Sequence, residues 1–398
     1  MSFFALYLAG QFSIEVTIIG VCSLFNHEVD CLVSSATYAN DVLEICTDCG
    51  LCVEECLFLK KTGKQPREVS RLLADNPKQQ MQLAYSCALC SLCGVLCPVG
   101  LDLGKLFLEA RRRLVDEGVG PLSGHLFYLS DKKWNINTLY RDNYGIDYSD
   151  LIKPSSSTVF FPGCSMATFS PKLTRAVFKR ISSNIESLGL VIDCCHKPIR
   201  DLGLQKRYED AVNVLDKKLD EMNASKVITA CPMCHSTLTD CLRNKEVVTV
   251  YELLNESDIQ TTNEVVTIHD SCADRDKGVV GSKVRGILKG FNIVEMEHSR
   301  EKSICCGAGG LMSAVDQDLA LSLVKTRLDE AKATNASNLV VYCVTCANML
   351  QAQPSSVKVT HVLNMIFGML DDYTQMQANL QRMFTGPKAK ENMLKLTS

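Results

Sequence analysis

Eight cysteines in two matching runs dominate the chemistry open to this chain. The first run is Cys46-x2-Cys49-x2-Cys52-x3-Cys56, and the second is Cys87-x2-Cys90-x2-Cys93-x3-Cys97-Pro98. Three thiolates at x2 spacing wrap one face of an iron–sulfur cube, and the fourth thiolate of such a run ligates the neighbouring cube. The spacing therefore predicts one [4Fe-4S] cluster on Cys46, Cys49, Cys52 and Cys97, and a second on Cys87, Cys90, Cys93 and Cys56. Soft sulfur donors suit such clusters, and swapped fourth ligands keep the two cubes adjacent, as an electron wire requires. Zinc needs four ligands, commonly two separated Cys-x2-Cys pairs, and has no use for the third and fourth cysteines of each run. Leu57 follows Cys56 where Pro98 follows Cys97, a difference that alters a turn and no ligand.

Ten more cysteines form two five-membered sets of one pattern: a single cysteine, an adjacent pair and a Cys-x2-Cys. The first set is Cys164, Cys194, Cys195, Cys231 and Cys234; the second is Cys272, Cys305, Cys306, Cys343 and Cys346. Five thiolates exceed the need of one cube, and adjacent cysteines do not both reach one cube easily. The count points to an unusual cluster, or to a cluster with a reactive thiol beside it. The glycines of Cys305-Cys306-Gly307-Ala308-Gly309-Gly310 give the backbone freedom to turn amides toward cluster sulfides. Zinc sites or buried free thiols are the alternatives. His196, His235 and His269 lie near these sets. Each is either a proton donor for thiol or quinone chemistry or a hydrogen-bonded structural histidine. His269, directly before Asp270-Ser271-Cys272, is the best candidate. Cys22, Cys31 and Cys241 read as ordinary thiols.

The elements that position these residues follow from hydrophobic period and breakers. Between the two four-cysteine runs, Pro66 and Pro77 bracket a helix with Val69, Leu72 and Leu73 on one face. After Cys97, Asp102 caps a helix whose apolar face is Leu106, Phe107, Ala110 and Leu114, ending at Gly118. Arg111-Arg112-Arg113 on it reads as a solvated face or a dock for an acidic partner. From Val159 the character becomes α/β, as an internal repeat. Strands Val159-Phe160-Phe161 and Val266-Thr267-Ile268 end near Cys164 and Cys272. Strands at Leu190-Val191-Ile192 and Ile293-Val294 precede the Cys-Cys pairs. Long helices carrying Leu219-Asp220-Glu221 and Leu328-Asp329-Glu330 follow. Val227-Ile228-Thr229 and Leu339-Val340-Val341 then run into the Cys-x2-Cys pairs, and strands near Val248-Thr249-Val250 and Val357-Lys358-Val359 close the units. Short apolar strands alternating with helices imply parallel sheets, and open α/β sheets place their sites at the carboxyl ends of strands.

The expected organisation is an apolar extension at 1–40, a helical two-cluster ferredoxin domain at 41–118, an aromatic-rich connector at 119–158, α/β units at 159–258 and 259–365, and a helical tail at 366–398 broken at Gly386-Pro387. The formal net charge is −3 and 21 of the 398 residues are cysteine. That charge argues against nucleic-acid binding. Clustered cysteines in a long chain indicate metal ligation in a reducing cytoplasm rather than a secreted disulfide scaffold. Residues 1–26 hold one charged side chain, Glu15, and no Lys or Arg, which excludes a secretory signal. Gln11 and Glu15 interrupt the stretch Phe3 to Phe25, so it is expected to pack on the protein or a partner rather than to span a membrane.

The repeated Cys…Cys-Cys…Cys-x2-Cys unit resembles the cysteine-rich "CCG" domain of heterodisulfide reductase. The front half, with Pro66-Arg67-Glu68 between two cluster runs, resembles the ferredoxin-type subunit of the same enzyme. In this order the chain, over about residues 44–365, is similar to the form of heterodisulfide reductase in which those two subunits are fused. It is also similar to the iron–sulfur subunits of glycolate oxidase, lactate utilisation and anaerobic glycerol-3-phosphate dehydrogenase. The resemblance implies an α + α/β chain: a helical ferredoxin domain, then two pseudo-twofold related, Rossmann-like CCG units with one or two additional, noncubane [4Fe-4S] clusters. His269-Asp270-Ser271-Cys272, Cys305-Cys306-Gly307 and Cys343-Val344-Thr345-Cys346 match the motif; in the first unit His196 replaces the glycine and the Cys164–Cys194 interval is short. The implied activity is that of an iron–sulfur oxidoreductase subunit that carries electrons between a flavoprotein and a disulfide or quinone-type acceptor, with Cys305, Cys306 and His269 as catalytic candidates. The chain has no flavin or nucleotide fingerprint, so an FAD dehydrogenase or electron-transfer flavoprotein is the expected partner. A membrane cytochrome or quinone is a further one, at the inner face of the membrane. The alternatives are a relay subunit without its own substrate and, remotely, a zinc-binding scaffold.

Overall fold

The computed structural model describes residues 38–260 and 262–397. The expectations for 1–37, including the apolar stretch, Cys22 and Cys31, lie outside the described residues. The first part is helical. Short helices Leu51–Glu55 and Leu92–Leu96 sit inside the two four-cysteine runs, and longer ones, Pro66–Asp75 and Leu103–Asp116, support them. Gln65-Pro66 starts the first of these, with proline where its missing N–H costs nothing, and Val69 and Leu73 are buried. Asp102 caps the second by accepting from the Gly104 amide at 2.8 Å, and Leu106, Phe107, Ala110 and Leu114 are buried.

Two four-stranded sheets follow. β1 (Thr158–Phe161), β2 (Leu188–Leu190), β3 (Lys226–Thr229) and β4 (Glu246–Thr249) form one; β5 (Val265–His269), β6 (Asn292–Ile293), β7 (Asn338–Val341) and β8 (Lys358–His361) form the other. Their orders, β2-β1-β3-β4 and β6-β5-β7-β8, repeat one topology, and every pairing is parallel. Val159, Phe160 and Phe161 are fully buried, as are Leu339, Val340 and Val341, which is how strands covered on both faces read in sequence. β2 lies slightly upstream of the expected Leu190-Val191-Ile192. Helices Gln205–Glu221 and Gln317–Ala333 are each 17 residues long. They place Leu215 and Arg327 at equivalent positions, so the two Leu-Asp-Glu tripeptides fall three residues out of register.

One expectation changes. Arg111 is neither solvated nor a dock: it is wholly buried and donates to the carbonyls of Ala84, Asp201, Gly310 and Cys87 at 2.6 to 2.9 Å. A guanidinium fork meets several acceptors at once, so this side chain ties the helical part to both α/β units. The C-terminal segment is no free tail. Helices Val362–Phe367, Tyr373–Thr385 and Ala389–Thr397 bury Tyr373, Met376, Leu380, Met383 and Leu396 in the main core, and the break falls at Gly386-Pro387 as expected. Tyr144 of helix Ile136–Tyr144, in the connector, donates to the Asn379 carbonyl at 2.8 Å. Among the described residues no helix is long and apolar enough to cross a membrane.

Candidate metal centres

The eight N-terminal cysteines separate into the two groups of four expected. Cys52 lies among Cys46, Cys97 and Cys49, whose negative charge, after burial, pushes its thiol up to about 11. Cys56 stands with Cys87, Cys90 and Cys93 around one pocket, together with Leu57, Phe58, Ile304 and Cys305. Burial pushes Cys56 up to about 11, and nearby Cys90 adds to this. The cysteines of the second group are partly buried around that pocket, whereas Cys49 of the first is exposed. Ile45, Leu51, Val95 and Val99, each within two residues of a cysteine of these runs, are also exposed.

The ten cysteines of the two five-membered sets form one continuous series. In the first unit the contacts run Cys164 to Cys194 to Cys195 to Cys234 to Cys231; in the second they run Cys272 to Cys305 to Cys306 to Cys346 to Cys343. Cys231 and Cys343 touch each other, joining the two sets at equivalent positions. The strand ends explain this. β1 and β5 deliver the single cysteines, and β3 and β7 deliver the Cys-x2-Cys pairs into helices Pro232–Cys241 and Val344–Gln351. The first set surrounds a pocket lined also by Pro162, Met166, Pro198 and Ala230. None of the described cysteines is in a disulfide.

One backbone device recurs at four places. The amides of Asp48, Leu89, His196 and Gly307 each point at the sulfur of the cysteine two residues earlier, Cys46, Cys87, Cys194 and Cys305, at 3.4 Å. All four residues have positive φ, between 49° and 89°. Holding non-glycine residues there costs about 1–3 kcal/mol each, and such strain concentrates at functional sites. His196 thus adopts the conformation Gly307 has, and the substitution leaves this part of the first unit intact. Gly307 turns its amide to the Cys305 thiol sulfur. Gly310 serves another purpose: a Cβ there would meet the Cys87 carbonyl at 2.6 Å, so the glycine permits the close approach of the dicluster loop.

Of the three histidines, only His269 forms a close group with two thiols among the described residues: a ring nitrogen and the sulfurs of Cys306 and Cys346 lie within 4.8 Å of one another. Burial and the Arg327 charge push His269 down to about 3. His196 sits beside the Ser130 hydroxyl at 3.1 Å, and Asp274 and Glu252 are the acidic groups nearest His235. Cys241 stands apart beside Tyr208, its thiol pushed up to about 11 by burial.

Four arginines escaped sequence reasoning. Besides Arg111, Arg285 binds both oxygens of Asp270 at 2.7 and 2.8 Å and so fixes the turn into Cys272. Arg275 donates to the Cys90 carbonyl at 2.8 Å, and Arg327 is wholly buried behind His269. The donor set fits iron–sulfur groups: the thiols converge in clusters, two of them around pockets, with main-chain amides aimed at sulfur.

This fold and these sites define an iron–sulfur oxidoreductase subunit. A 4Fe-4S dicluster domain matches residues 45–102, and a cysteine-rich domain, CCG, matches residues 158–239 and 266–351. The chain resembles a subunit of the dihydromethanophenazine:CoB--CoM heterodisulfide reductase of Methanosarcina mazei, with 27% identity over 381 residues, 81% of this chain and 91% of that protein. It is also similar to a subunit of the fumarate reductase (CoM/CoB) of Methanothermobacter marburgensis, at 24% identity across 81% of this chain and 71% of that one. The EtfAB:quinone oxidoreductase of Syntrophomonas wolfei is 24% identical over 67% of this chain and 43% of its own length.

Proposed function

We propose that this chain carries electrons between a flavoprotein and a disulfide or quinone-type acceptor. In this reading Cys46, Cys49, Cys52 and Cys97 hold one [4Fe-4S] cluster, and Cys87, Cys90, Cys93 and Cys56 the other. Each CCG set holds a further, noncubane cluster, and the two units at 159–258 and 259–365 form a pseudo-twofold pair. Such clusters supply one-electron storage and transfer, at potentials set by hydrogen bonds to sulfur and by exposure. The observation that carries the reading is the unbroken order of sulfurs. Exposed Cys49 marks the outer end. The partly buried group of four comes next, and its Cys90 lies close enough to Cys272 and Cys305 for their charges to interact. From there the two five-cysteine sets continue to the first unit.

The chain's residues order this path. Arg111 and Arg275 clamp the dicluster loops against the second unit, and the apolar lining excludes water. Cys305 and Cys306, beside His269, are the proposed reacting thiol set. A flavoprotein delivers or collects electrons at the outer end, in a reducing cytoplasm, with membrane contact made through a partner. Relatives named for a CoB--CoM heterodisulfide and for EtfAB and quinone favour two acceptor classes. The reduced protein, mixed anaerobically with an excess of an organic disulfide or a short-chain quinone, separates them. Fast reoxidation by the disulfide, with thiol release, supports a catalytic CCG site. Reoxidation by quinone alone supports a relay. Reoxidation by neither, in fully loaded protein, contradicts both.

A further inference from the structure

The two five-cysteine sets match in topology but not in what stands behind them. His269 is the last residue of β5, three before Cys272. The equivalent residue of β1, three before Cys164, is Phe161. Arg327 is the eleventh residue of its helix, and the eleventh residue of the matching helix is Leu215. Phe161 and Leu215 are both buried in an apolar cluster. The second unit has replaced an apolar pair by a buried polar pair at the same two places.

The polar pair has a defined geometry. Arg327 Nε donates to His269 Nδ1 at 3.2 Å. Its other nitrogens are spent on the His298 carbonyl at 2.9 Å, on Met296 Sδ at 3.3 Å, and on Glu330. Guanidinium nitrogens only donate, so His269 Nδ1 must carry the lone pair and Nε2 the proton. That Nε2 is buried and has no partner in the protein. An orphaned N–H in a core is costly, and a ring nitrogen of His269 lies within 4.8 Å of the sulfurs of Cys306 and Cys346.

We propose that His269 Nε2–H is a fixed hydrogen-bond donor to the sulfur set of the second CCG site, and that Arg327 is the positioning residue that holds its tautomer. The pair makes the two CCG sites electronically unequal. A donor to sulfur stabilises the more negative, reduced state, so the second site takes the higher reduction potential of the two. His269 is then a tuning donor whose proton stays on the ring, rather than a general acid. This inference rests on the reading that the second five-cysteine set holds a cluster.

The test is a redox titration of the full chain, purified anaerobically and followed by EPR and absorbance, with iron counted on each sample. His269→Phe, which copies the first unit, should keep the iron of the parent and shift the second site to lower potential. His269→Gln, which restores an N–H near the same place, should recover most of the shift. Arg327→Met, which frees the tautomer, should fall between them. Equal potentials in all variants at equal iron overturn the proposal. Loss of iron from His269→Phe and its return in His269→Cys make His269 a ligand, and overturn it too. Should the variants fold poorly, pulsed EPR of the second-site signal on parent protein carrying ring-15N-histidine decides. A weak nitrogen coupling supports the hydrogen bond; a strong coupling or none contradicts it. Parent protein with about eight irons, at four per cluster, removes the underlying reading instead, and this proposal with it.

Discussion

Arg275 Nε donates to the carbonyl of Cys90 at 2.8 Å, so a residue three positions after Cys272 holds the loop of a dicluster cysteine. The same guanidinium donates to the Ser303 carbonyl at 2.5 Å and to that of Glu301, just before the Cys305-Cys306 pair. One buried side chain thereby fixes the spacing between the partly buried dicluster group and the second CCG set. Arg111 does the equivalent from the other side, through Cys87 and Gly310.

Arg275→Met should leave three carbonyls without their donor, that of Ser303 buried and those of Cys90 and Glu301 part-buried. Unmet buried acceptors cost about 1–3 kcal/mol each before relaxation, and a net loss of about 3 kcal/mol is expected by denaturant unfolding. Iron per chain should remain that of the parent, while reduction of the CCG sites lags behind that of the dicluster groups in stopped flow. Unchanged stability together with unchanged kinetics contradicts the clamp.

Cys56→Ser and Cys97→Ser test the exchange of fourth ligands. Each should lose about four irons, but from opposite groups. Cys97→Ser should lose the cluster at the exposed Cys49 end, and Cys56→Ser the partly buried one. Chemical modification of Cys49 in each variant reads this out: rapid in Cys97→Ser, slow in Cys56→Ser. The reverse pattern would put each fourth cysteine with its own run.

His125 is wholly buried, and burial, with the Arg111 charge, pushes it down to about 4. Below pH 6.5 the unfolded chain takes up a proton that the folded chain refuses until about pH 4. The stability this contributes is therefore full above pH 6.5 and is lost as the pH falls through that window, by on the order of 3 kcal/mol at its foot. His125→Leu should flatten the fall measured between pH 6.5 and about 5 by denaturant unfolding. A slope as steep as the parent's assigns the acid sensitivity elsewhere.

The cysteine spacing and the alternation of strands with helices are local signals, and they reached far. The two groups of four, the two parallel sheets and their repeated cysteine order were legible because ligand spacing and strand period act over a few residues. Arg111, Arg275 and Arg327 were not legible. Their partners are mostly main-chain carbonyls and one histidine, far away in the chain, and a carbonyl has no signature in sequence. Arg111-Arg112-Arg113 read as a solvated charge run because only the packing of helix Leu103–Asp116 against both units decides which of the three turns inward. The C-terminal helices were foreseen, but not their burial on the connector, since an amphipathic face does not say what covers it.

Whether both CCG sets hold clusters continuous with the dicluster pair decides the electron path proposed above. Iron and acid-labile sulfide per chain, on anaerobically purified protein with EPR of the same sample, answer this without any variant. About sixteen irons are expected, at four per cluster, with an additional EPR signal after oxidation with a thiol or disulfide. About eight irons in protein shown to be fully loaded would contradict the path, leaving two clusters on a cysteine-rich scaffold.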